Sequence, residues 1–525
     1  MGRALFITAT AIGFASSAGL ARAATLTVGP GKMYAAPCAA IAAANDGDTI
    51  EIDSAGTYAG DVCAIAKNGL TLRGTPGRAR IDAAGKQFGG KGIWVISGND
   101  TTVENIEFSG ATVPDQNGAG IRQEGTNLTV RRCFFHDNEN GILSGGRPGS
   151  AVLVEYSEFA NNGFGDGFSH NMYIGHEGRF TLRYSYSHHA KVGHLVKSRA
   201  AENYILYNRL SGEDGTASYE LDLPNAGTSW IVGNILQQTA STGNATMMTY
   251  GVEGTAPENP GLSLFVVNNT FVNDRTAGGT FVAVGGAITT AAVITNNIFF
   301  GQGTITSQSN AMLSTNRQGD PTFVAKGSFD YRLAAGSPCI DTGSDPGTGA
   351  GFALLPAKHY VHPANAVDRA IAGAIDIGAY EFGADFDAGT PDAAGGSDVS
   401  SDVARDVSTT DGATRDTTTP DRSTTDATSD ARVTDVSLPE AGLVDASRDD
   451  AAREDATPED SGTSTPRDAA TEPPGTGTDD GGCGCRFAPH ERTWSGAVVL
   501  FAALLAVARR RGRTGEPSRP RRTHP

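Results

Sequence analysis

The chain has 525 residues, of which 68 are glycine and only 7% are aromatic, and its formal net charge is -17. Residues 384–482 hold 24 acidic and 7 basic side chains and residues 483–525 hold 9 basic and 2 acidic ones, which leaves residues 1–383 only mildly acidic, at -7. Length alone suggests roughly two to four domains, and the lack of a basic stripe before residue 483 argues against nucleic acid as a partner.

The N-terminus predicts a signal peptide for export over residues 1–23. Arg3 supplies a positive charge, Ala4 to Phe14 is mostly apolar, and residues 21–23 read Ala-Arg-Ala, an A-x-A cleavage site. The alternative is a buried N-terminal helix. With a signal peptide, the mature chain begins near Ala24 and is exported.

Six cysteines suit an oxidising compartment without forming a disulfide-dense scaffold. Cys38 and Cys63 flank one predicted coil and are therefore candidates for a disulfide. Cys133 lies in an apolar stretch, which favours a buried small residue over a reactive thiol.

A short pattern repeats along the chain from residue 103. An aliphatic residue is followed by a polar residue, often Asn, and then by an apolar residue at the sixth place. The copies are Val103–Phe108, Val130–Phe135, Val154–Phe159, a weaker Leu182–Ser187, Ile205–Leu210, Ile231–Leu236, Val266–Phe271 and Ile294–Phe299. Their spacing is nearly regular, except that the step from Ile231 to Val266 is clearly longer than the others.

A period of about 25 residues, built from short β-branched strands with Gly and Asn, predicts an all-β fold, a right-handed parallel β-helix solenoid over residues 24–383. One coil cannot bury its own apolar face, but coils stacked at about 4.8 Å make a continuous core. The segments DTIEI and GLTLRG extend the series toward the N-terminus, and CAAIAAANDGDTIEI predicts a short capping helix.

The fourth place of the pattern is asparagine in four copies: Asn208, Asn234, Asn269 and Asn297. We expect these side chains to stack as a ladder at a bend, each amide bonding the next coil. Asparagine also tolerates the left-handed conformation that a tight bend requires.

Reactive side chains concentrate between residues 166 and 225, and six of the ten histidines fall between His136 and His194. Strand alternation predicts that Lys197 and Arg199 point outward. One coil later it predicts the same for Glu220 and Asp222. The step from Lys197 to Glu220 equals the local coil spacing, that from Leu182 to Ile205. This equality places Lys197 beside Glu220 and Arg199 beside Asp222.

One coil earlier, the segment SHNMYIG aligns with GHLVKSR, which places Tyr173 beside Lys197 and His170 near His194. Charged and aromatic side chains on a flat parallel sheet suit a linear polysaccharide, because Arg and Lys hold sugar carboxylates and rings stack on sugars. The predicted catalytic residues are Lys197, Arg199, Tyr173 and His194. The predicted substrate-binding residues are His170, Asn171, Glu220, Asp222, Arg122 and Tyr250.

The segment VKSRAAENYILYNRL, followed by GTASYE and IVGN, resembles the catalytic coils of the alginate lyase and chondroitinase B family. The resemblance implies a lyase acting on uronates, with Lys197 of the Lys-Ser pair as the base. The arginine that serves that family as acid maps onto Glu220, and the His-Gly that follows it there is absent here. Arg199 then becomes the clamp for the sugar carboxylate and Tyr173 or His194 the acid.

Other interpretations remain open at this point. Lys197–Glu220 and Arg199–Asp222 are also consistent with ion pairs on the surface. Glu220 and Asp222 could instead form a carboxylate pair for glycoside hydrolysis. A non-catalytic glycan-binding protein or adhesin is the main alternative to an enzyme. No cofactor is predicted, and calcium stays open although it is not evident. A metal site at His170, His176, His188 or His189 is considered, but their spacing fits no known ligand geometry.

The C-terminal third predicts attachment to the cell surface. SPCIDTG at 337–343 and DIGAYEF at 376–382 resemble the choice-of-anchor segment that closes many bacterial surface β-helix proteins. Residues 384–482 predict a disordered, Asp-rich linker. In residues 483–525, Cys483 and Cys485, an apolar run and three arginines resemble the MYXO-CTERM sorting signal, which implies retention at the outer surface or membrane. A single-pass anchor is the alternative.

Overall fold

The structure is a computed structural model that describes residues 22–384. Residues 1–21 of the predicted signal peptide, the predicted linker from residue 385 and the predicted sorting segment with Cys483 and Cys485 lie outside the described residues. Within residues 22–384 the chain winds into a parallel β-helix of about ten turns, in which three long parallel sheets run along the axis. No helix in this part of the chain is long and apolar enough to cross a membrane.

Each full turn contributes one strand to each of three sheets, named A, C and B in the order in which a turn meets them. Sheet A has twelve strands: Thr25–Val28, Thr49–Asp53, Thr71–Thr75, Thr101–Glu104, Leu128–Arg131, Ala151–Glu155, Arg179–Arg183, Glu202–Leu206, Thr228–Val232, Leu264–Val267, Val293–Thr295 and Met312–Ser314. Sheet C has ten strands: Ala79–Asp82, Ile106–Ser109, Phe134–His136, Glu158–Ala160, Tyr186–His188, Arg209–Ser211, Ile235–Gln238, Thr270–Asn273, Ile298–Phe300 and Arg317–Gln318. Sheet B also has ten: Cys63–Ile65, Gly92–Ile96, Ala119–Gln123, Asn140–Ser144, Met172–Ile174, Lys197–Ser198, Leu221–Leu223, Thr246–Tyr250, Thr280–Val284 and Thr304–Thr306.

The predicted repeat is the observed register. In sheet A the first residues of the copies pair in sequence from Val103 to Val130 and on to Ile294. Their sixth residues stack in sheet C, where the rings of Phe108, Phe135 and Phe159 lie 4.9 and 4.8 Å apart. These side chains are fully buried and form the continuous core that one coil alone lacks.

The predicted asparagine ladder lies at the bend between sheets A and C. Each side-chain amide donates to the Oδ1 of the next rung at 3.0 Å, from Asn208 through Asn234, Asn269 and Asn297 to a further rung at Asn316. The left-handed conformation belongs to the preceding residue, for example Tyr207 at φ 56°. The expectation that the ladder asparagine itself adopts it is wrong, because that residue already begins the next extended segment.

The N-terminal end of the solenoid is closed as expected by the helix Pro37–Ala43. Cys38 and Cys63 form a disulfide that ties this helix to the first strand of sheet B. Cys133 is a free, fully buried thiol at the bend between sheets A and C, and burial raises its pKa to about 12.

The C-terminal segment, residues 321–384, folds back along the outside of the solenoid instead of adding coils. It holds the 3-10 turn Lys326–Ser328 and three antiparallel pairs, Phe323–Ala325 with Asp330–Leu333, Thr348–Gly349 with Phe352–Ala353 and Lys358–Val361 with Asn365–Asp368. Its two end motifs pack on one another, since Ile377 N donates to Cys339 O at 3.0 Å. The solenoid itself therefore ends at Gln318, well before the expected boundary near residue 382.

Candidate active site

One row of outward-facing side chains crosses sheet B from coil to coil. The strand pairings put Arg122, Leu143, Tyr173, Lys197, Asp222 and Thr249 side by side in that order. Val196 and Ser198 on either side of Lys197 are fully buried, as strand alternation requires. The row therefore brings Tyr173, Lys197 and Asp222 together on three consecutive coils.

Lys197 and Arg199, the cation pair, are both held by carboxylates. Lys197 Nζ lies 3.1 Å from Asp222 Oδ2 and 3.5 Å from Glu253 Oε1. Arg199 Nη2 lies 2.8 Å from Glu253 Oε2, and a second guanidinium nitrogen donates to Asn225 Oδ1. Two cations and two carboxylates thus leave this cluster close to neutral.

Tyr173 lies under the cation pair. Arg199 Nε donates a 2.9 Å hydrogen bond to its hydroxyl oxygen, and both Lys197 Nζ and Arg199 Cζ lie close to the ring centroid, at 5.7 and 5.8 Å. Because the phenol oxygen accepts from arginine, its own hydrogen remains available to donate to another group.

The two predicted site histidines stack on each other. The rings of His170 and His194 lie 4.4 Å apart, and His194 N donates to His170 Nδ1 at 3.0 Å. Burial, followed by the charge of Lys197, lowers the pKa of His194 well below 6.5, and burial with the charges of His194, Lys197 and Arg199 does the same for His170. Both imidazoles are therefore neutral near pH 7, although His194 Nε2 lies 3.5 Å from Asp222 Oδ2.

The expected stacking of Lys197 on Glu220 and of Arg199 on Asp222 is wrong. Lys197 pairs with Asp222, which lies further along the chain than the expected partner. Glu220 is fully buried, and burial raises its carboxyl pKa well above the ordinary value of 4.5. Glu220 therefore faces no substrate and forms no outward carboxylate pair with Asp222.

Three further predicted contacts do not reach this cluster. Asn171 is fully buried in a second ladder, where it accepts from Asn162 and donates to Ser187 Oγ, both at 3.0 Å. Tyr250 is also fully buried, and its hydroxyl donates to Gly227 O at 2.7 Å. Arg122 lies in the outward row but two coils from Tyr173, with Glu124 Oε1 at 3.8 Å from its Nε.

Sequence reasoning missed Glu253 and Asn225, which complete the shell around the cation pair. Glu253 lies between the sheet B strand Thr246–Tyr250 and the sheet A strand Leu264–Val267. This connection belongs to the coil with the unusually long repeat spacing. An insertion at that point in the repeat was the available signal, because long loops on a rigid scaffold carry function disproportionately often.

Within residues 22–384, no group of three or more His, Cys, Asp or Glu side chains is arranged to hold a metal ion. His188 and His189, considered for such a site, lie on the outer side of sheet C with their Nδ1 atoms 2.6 Å apart. Their other ring nitrogens face carboxylates, at 3.3 Å for Glu158 and 2.9 Å for Asp214. The pair is thus accounted for by a local hydrogen-bond network.

Among protein families, the model of the right handed beta helix region matches residues 68–236. The fold is a right-handed parallel β-helix. No curated protein matches this chain.

Solved structures similar to this chain include three polysaccharide lyases. Pectate lyase Pel9A is 16% identical with a TM-score of 0.47, covering 69% of this chain and 96% of that one. An alginate lyase from Paenibacillus sp. str. FPU-7 is 14% identical with a TM-score of 0.39, covering 57% and 99%. The PL6 family alginate lyase AlyGC is 15% identical with a TM-score of 0.25, covering 65% and 59%. At these identities and TM-scores the likenesses assign no residue a role.

Proposed function

We propose that this protein binds an acidic polysaccharide along the outer face of sheet B and cleaves it by β-elimination. The observation that carries the proposal is the cluster of Tyr173, Lys197 and Arg199 on two adjacent coils at the outer face of sheet B. A guanidinium and an ammonium bind a sugar carboxylate, and the phenol hydroxyl beside them can donate a proton to a glycosidic oxygen. The Lys-Ser strand that resembles the alginate lyase and chondroitinase B family supports the same reaction class.

The elimination has a defined set of steps. Arg199 neutralises the uronate carboxylate, which makes the adjacent C5 proton more acidic. Lys197 binds the substrate as the ammonium, releases one proton to water and then, as the amine, takes the C5 proton. The C4–O bond breaks, and a C4–C5 double bond forms. Tyr173 donates its proton to the departing oxygen, a role favoured over His194 because the His194 imidazole is buried and carries no dissociable extra proton near pH 7.

Export and attachment complete the proposal. The signal peptide predicted over residues 1–23 and the sorting segment predicted over residues 483–525 support an enzyme held at the bacterial surface, where extracellular glycans are within reach. The disulfide between Cys38 and Cys63 suits an oxidising compartment.

The test is an elimination assay with the purified protein on alginate, pectate and chondroitin, following the ultraviolet absorbance of unsaturated uronates. Lys197→Ala should lower the rate by about 100-fold or more, because it removes the proton acceptor. Lys91→Ala is the matched control, since Lys91 is also paired with a carboxylate, that of Glu124, but lies three coils away from Tyr173. Its rate should stay at the wild-type level.

A non-catalytic glycan-binding protein or adhesin is the alternative, and one observation favours it. The position that carries an arginine acid in the resembling family is the buried Glu220. Retained binding to these glycans without any rise in absorbance would refute the lyase and support the adhesin. Equal activity of the wild type and Lys197→Ala would remove Lys197 from the mechanism.

A further inference from the structure

In the coil with the long repeat spacing, from Ile231 to Val266, one loop lies against the cation pair. This loop, residues 251–263, joins strand Thr246–Tyr250 to strand Leu264–Val267. It presents Glu253 to the cation pair. Its position beside the outward row makes it a candidate determinant of what the site accepts.

Glu253 holds both cations at once. Its two carboxylate oxygens are divided between them, with Oε2 at 2.8 Å from Arg199 Nη2 and Oε1 at 3.5 Å from Lys197 Nζ. A planar carboxylate bridging an arginine and a lysine is the contact that a bound uronate would make. Glu253 therefore occupies the position that the proposed substrate has to take.

The two carboxylates of the cluster differ in exposure. The side chain of Asp222 is 3% exposed, whereas that of Glu253 is 45% exposed. Withdrawing Asp222 would leave a buried charge unpaired, which is costly. Withdrawing Glu253 costs little, because its carboxylate passes into water and a partly exposed ion pair contributes little to stability. Glu253 is the partner that can be exchanged.

The loop backbone is fixed independently of that side chain. Asn259 Nδ2 donates to both Arg199 O and Asn225 O, each at 3.1 Å, and Glu253 N donates to Pro224 O at 3.0 Å. The exchange therefore takes a rotation of one side chain and no movement of the loop. Lys197 then keeps one carboxylate partner, Asp222, in addition to the substrate's own group.

We infer that Glu253 is a specificity-determining residue that acts as an internal competitor: the protein binds uronates only by displacing the Glu253 carboxylate from Lys197 and Arg199. This inference rests on the proposed function, since it assigns the carboxylate position of the same site. A neutral sugar cannot replace the displaced anion, so the competition selects glycans with a carboxylate at that position.

Glu253→Gln tests the inference, because it keeps the shape and removes the charge. We expect the variant to bind monomeric galacturonate and polygalacturonate about fivefold more tightly than the wild type, the size of a partly exposed ion pair. Binding of carboxyl-reduced polygalacturonate, a neutral polymer, should not change. Glu258→Gln, an exposed glutamate on the same loop, is the matched control and should bind all three ligands as the wild type does.

The outcomes separate this inference from the proposed function. Elimination activity that depends on Lys197, together with unchanged or weaker uronate binding by Glu253→Gln, would overturn the competitor and leave the lyase standing. Tighter galacturonate binding by Glu253→Gln without any elimination would support the competitor and refute the lyase. If Glu253→Gln bound the acidic and the carboxyl-reduced polymer more tightly by the same factor, the competitor role of Glu253 would also be overturned, since the effect would not depend on a carboxylate. A thermal melt of each variant checks that the fold is retained.

Discussion

Glu220 carries a carboxyl group into the interior at the position where the sequence predicted an outward contact. It is fully buried, and neither carboxylate oxygen has a hydrogen-bond partner among the described residues. Burial raises its pKa well above 4.5. The group therefore keeps its proton on folding, whereas in the unfolded chain it releases the proton as the pH rises above about 4.5.

This difference sets the sign of a pH effect. Folding takes up a proton at Glu220 in the range between the two pKa values, so the stability that is present below the unfolded pKa is lost progressively as the pH rises above it. Glu220→Gln cannot ionise in either state. We expect the variant to gain stability over the wild type by roughly 1.4 kcal/mol for each pH unit above 4.5, up to the folded pKa.

Urea unfolding of both proteins at about pH 5 and about pH 7 measures the effect, because the gain should grow between these values. Glu258→Gln, which removes an exposed carboxylate, should show no such growth. A gain for Glu220→Gln that is the same at both pH values would mean that the wild-type carboxyl group is ionised in the folded protein.

The position of Glu220 also shows where residue-level prediction stops. The alignment of SHNMYIG with GHLVKSR correctly placed Tyr173 beside Lys197. The next coil was assigned from the local spacing in sheet A, whereas sheet B makes a longer step, from Lys197 to Asp222. Turn lengths vary independently at each bend, so the spacing in one sheet does not fix the register of another. Glu253 was missed because it lies in an inserted loop, which has no counterpart in the other copies of the repeat.

At the scale of elements, the asparagine ladder was predictable because it recurs at one fixed place of the repeat. Asn234 is fully buried in its middle. Its amide nitrogen donates to Ile205 O at 2.7 Å and to Asn269 Oδ1 at 3.0 Å, and its oxygen accepts from Asn208 N at 2.9 Å. The ladder thus satisfies backbone groups at a bend where no strand pairing exists.

Asn234→Ala removes these bonds and leaves the buried partners of the amide unsatisfied. We expect a loss of about 2–4 kcal/mol in the free energy of unfolding, since each unsatisfied buried group costs about 1–3 kcal/mol. Asn316 is the last rung of the ladder and is half-buried. Asn316→Ala should therefore lower the free energy of unfolding clearly less. Denaturant unfolding of the two variants measures both losses. Equal losses of unfolding free energy would mean that the ladder stabilises the protein through local turn geometry rather than through buried hydrogen bonds.

At the scale of the whole molecule, the two ends of the solenoid differ in how they are covered. The N-terminal end is closed by the helix Pro37–Ala43, while the last strand of sheet A, Met312–Ser314, is exposed. The segment 321–384 instead covers aromatic side chains on the outside of sheets A and C. Trp230 Nε1 donates to Gly349 O at 2.8 Å, and Tyr207 Oη accepts from Ala357 N at 2.9 Å. The sequence identified the two end motifs, but short antiparallel hairpins carry no repeat from which their path could be predicted.

A fully buried ion pair closes this segment. Arg369 Nε and Nη2 lie 2.9 and 2.8 Å from Glu381 Oε1, and the same guanidinium donates to Gly378 O at 3.2 Å and to Asp376 O at 3.1 Å. Arg369→Ala would leave Glu381 buried without its cation, which costs about 3–5 kcal/mol. Because the coils are held by their own ladders, we expect the segment to detach before the solenoid unfolds.

Detachment exposes Trp230 to water, so Arg369→Ala should shift the tryptophan emission to longer wavelength at a temperature where far-ultraviolet circular dichroism still reports the sheets. The Trp230→Phe background identifies the residue responsible, since Trp94 is fully buried inside the solenoid. Lys358→Ala breaks the pair with Asp368, an exposed one in the same segment, and should move neither signal. If the tryptophan emission and the circular dichroism changed in one transition instead, the segment would belong to the cooperative unit of the solenoid. Packing along the outer face would then hold the coils together.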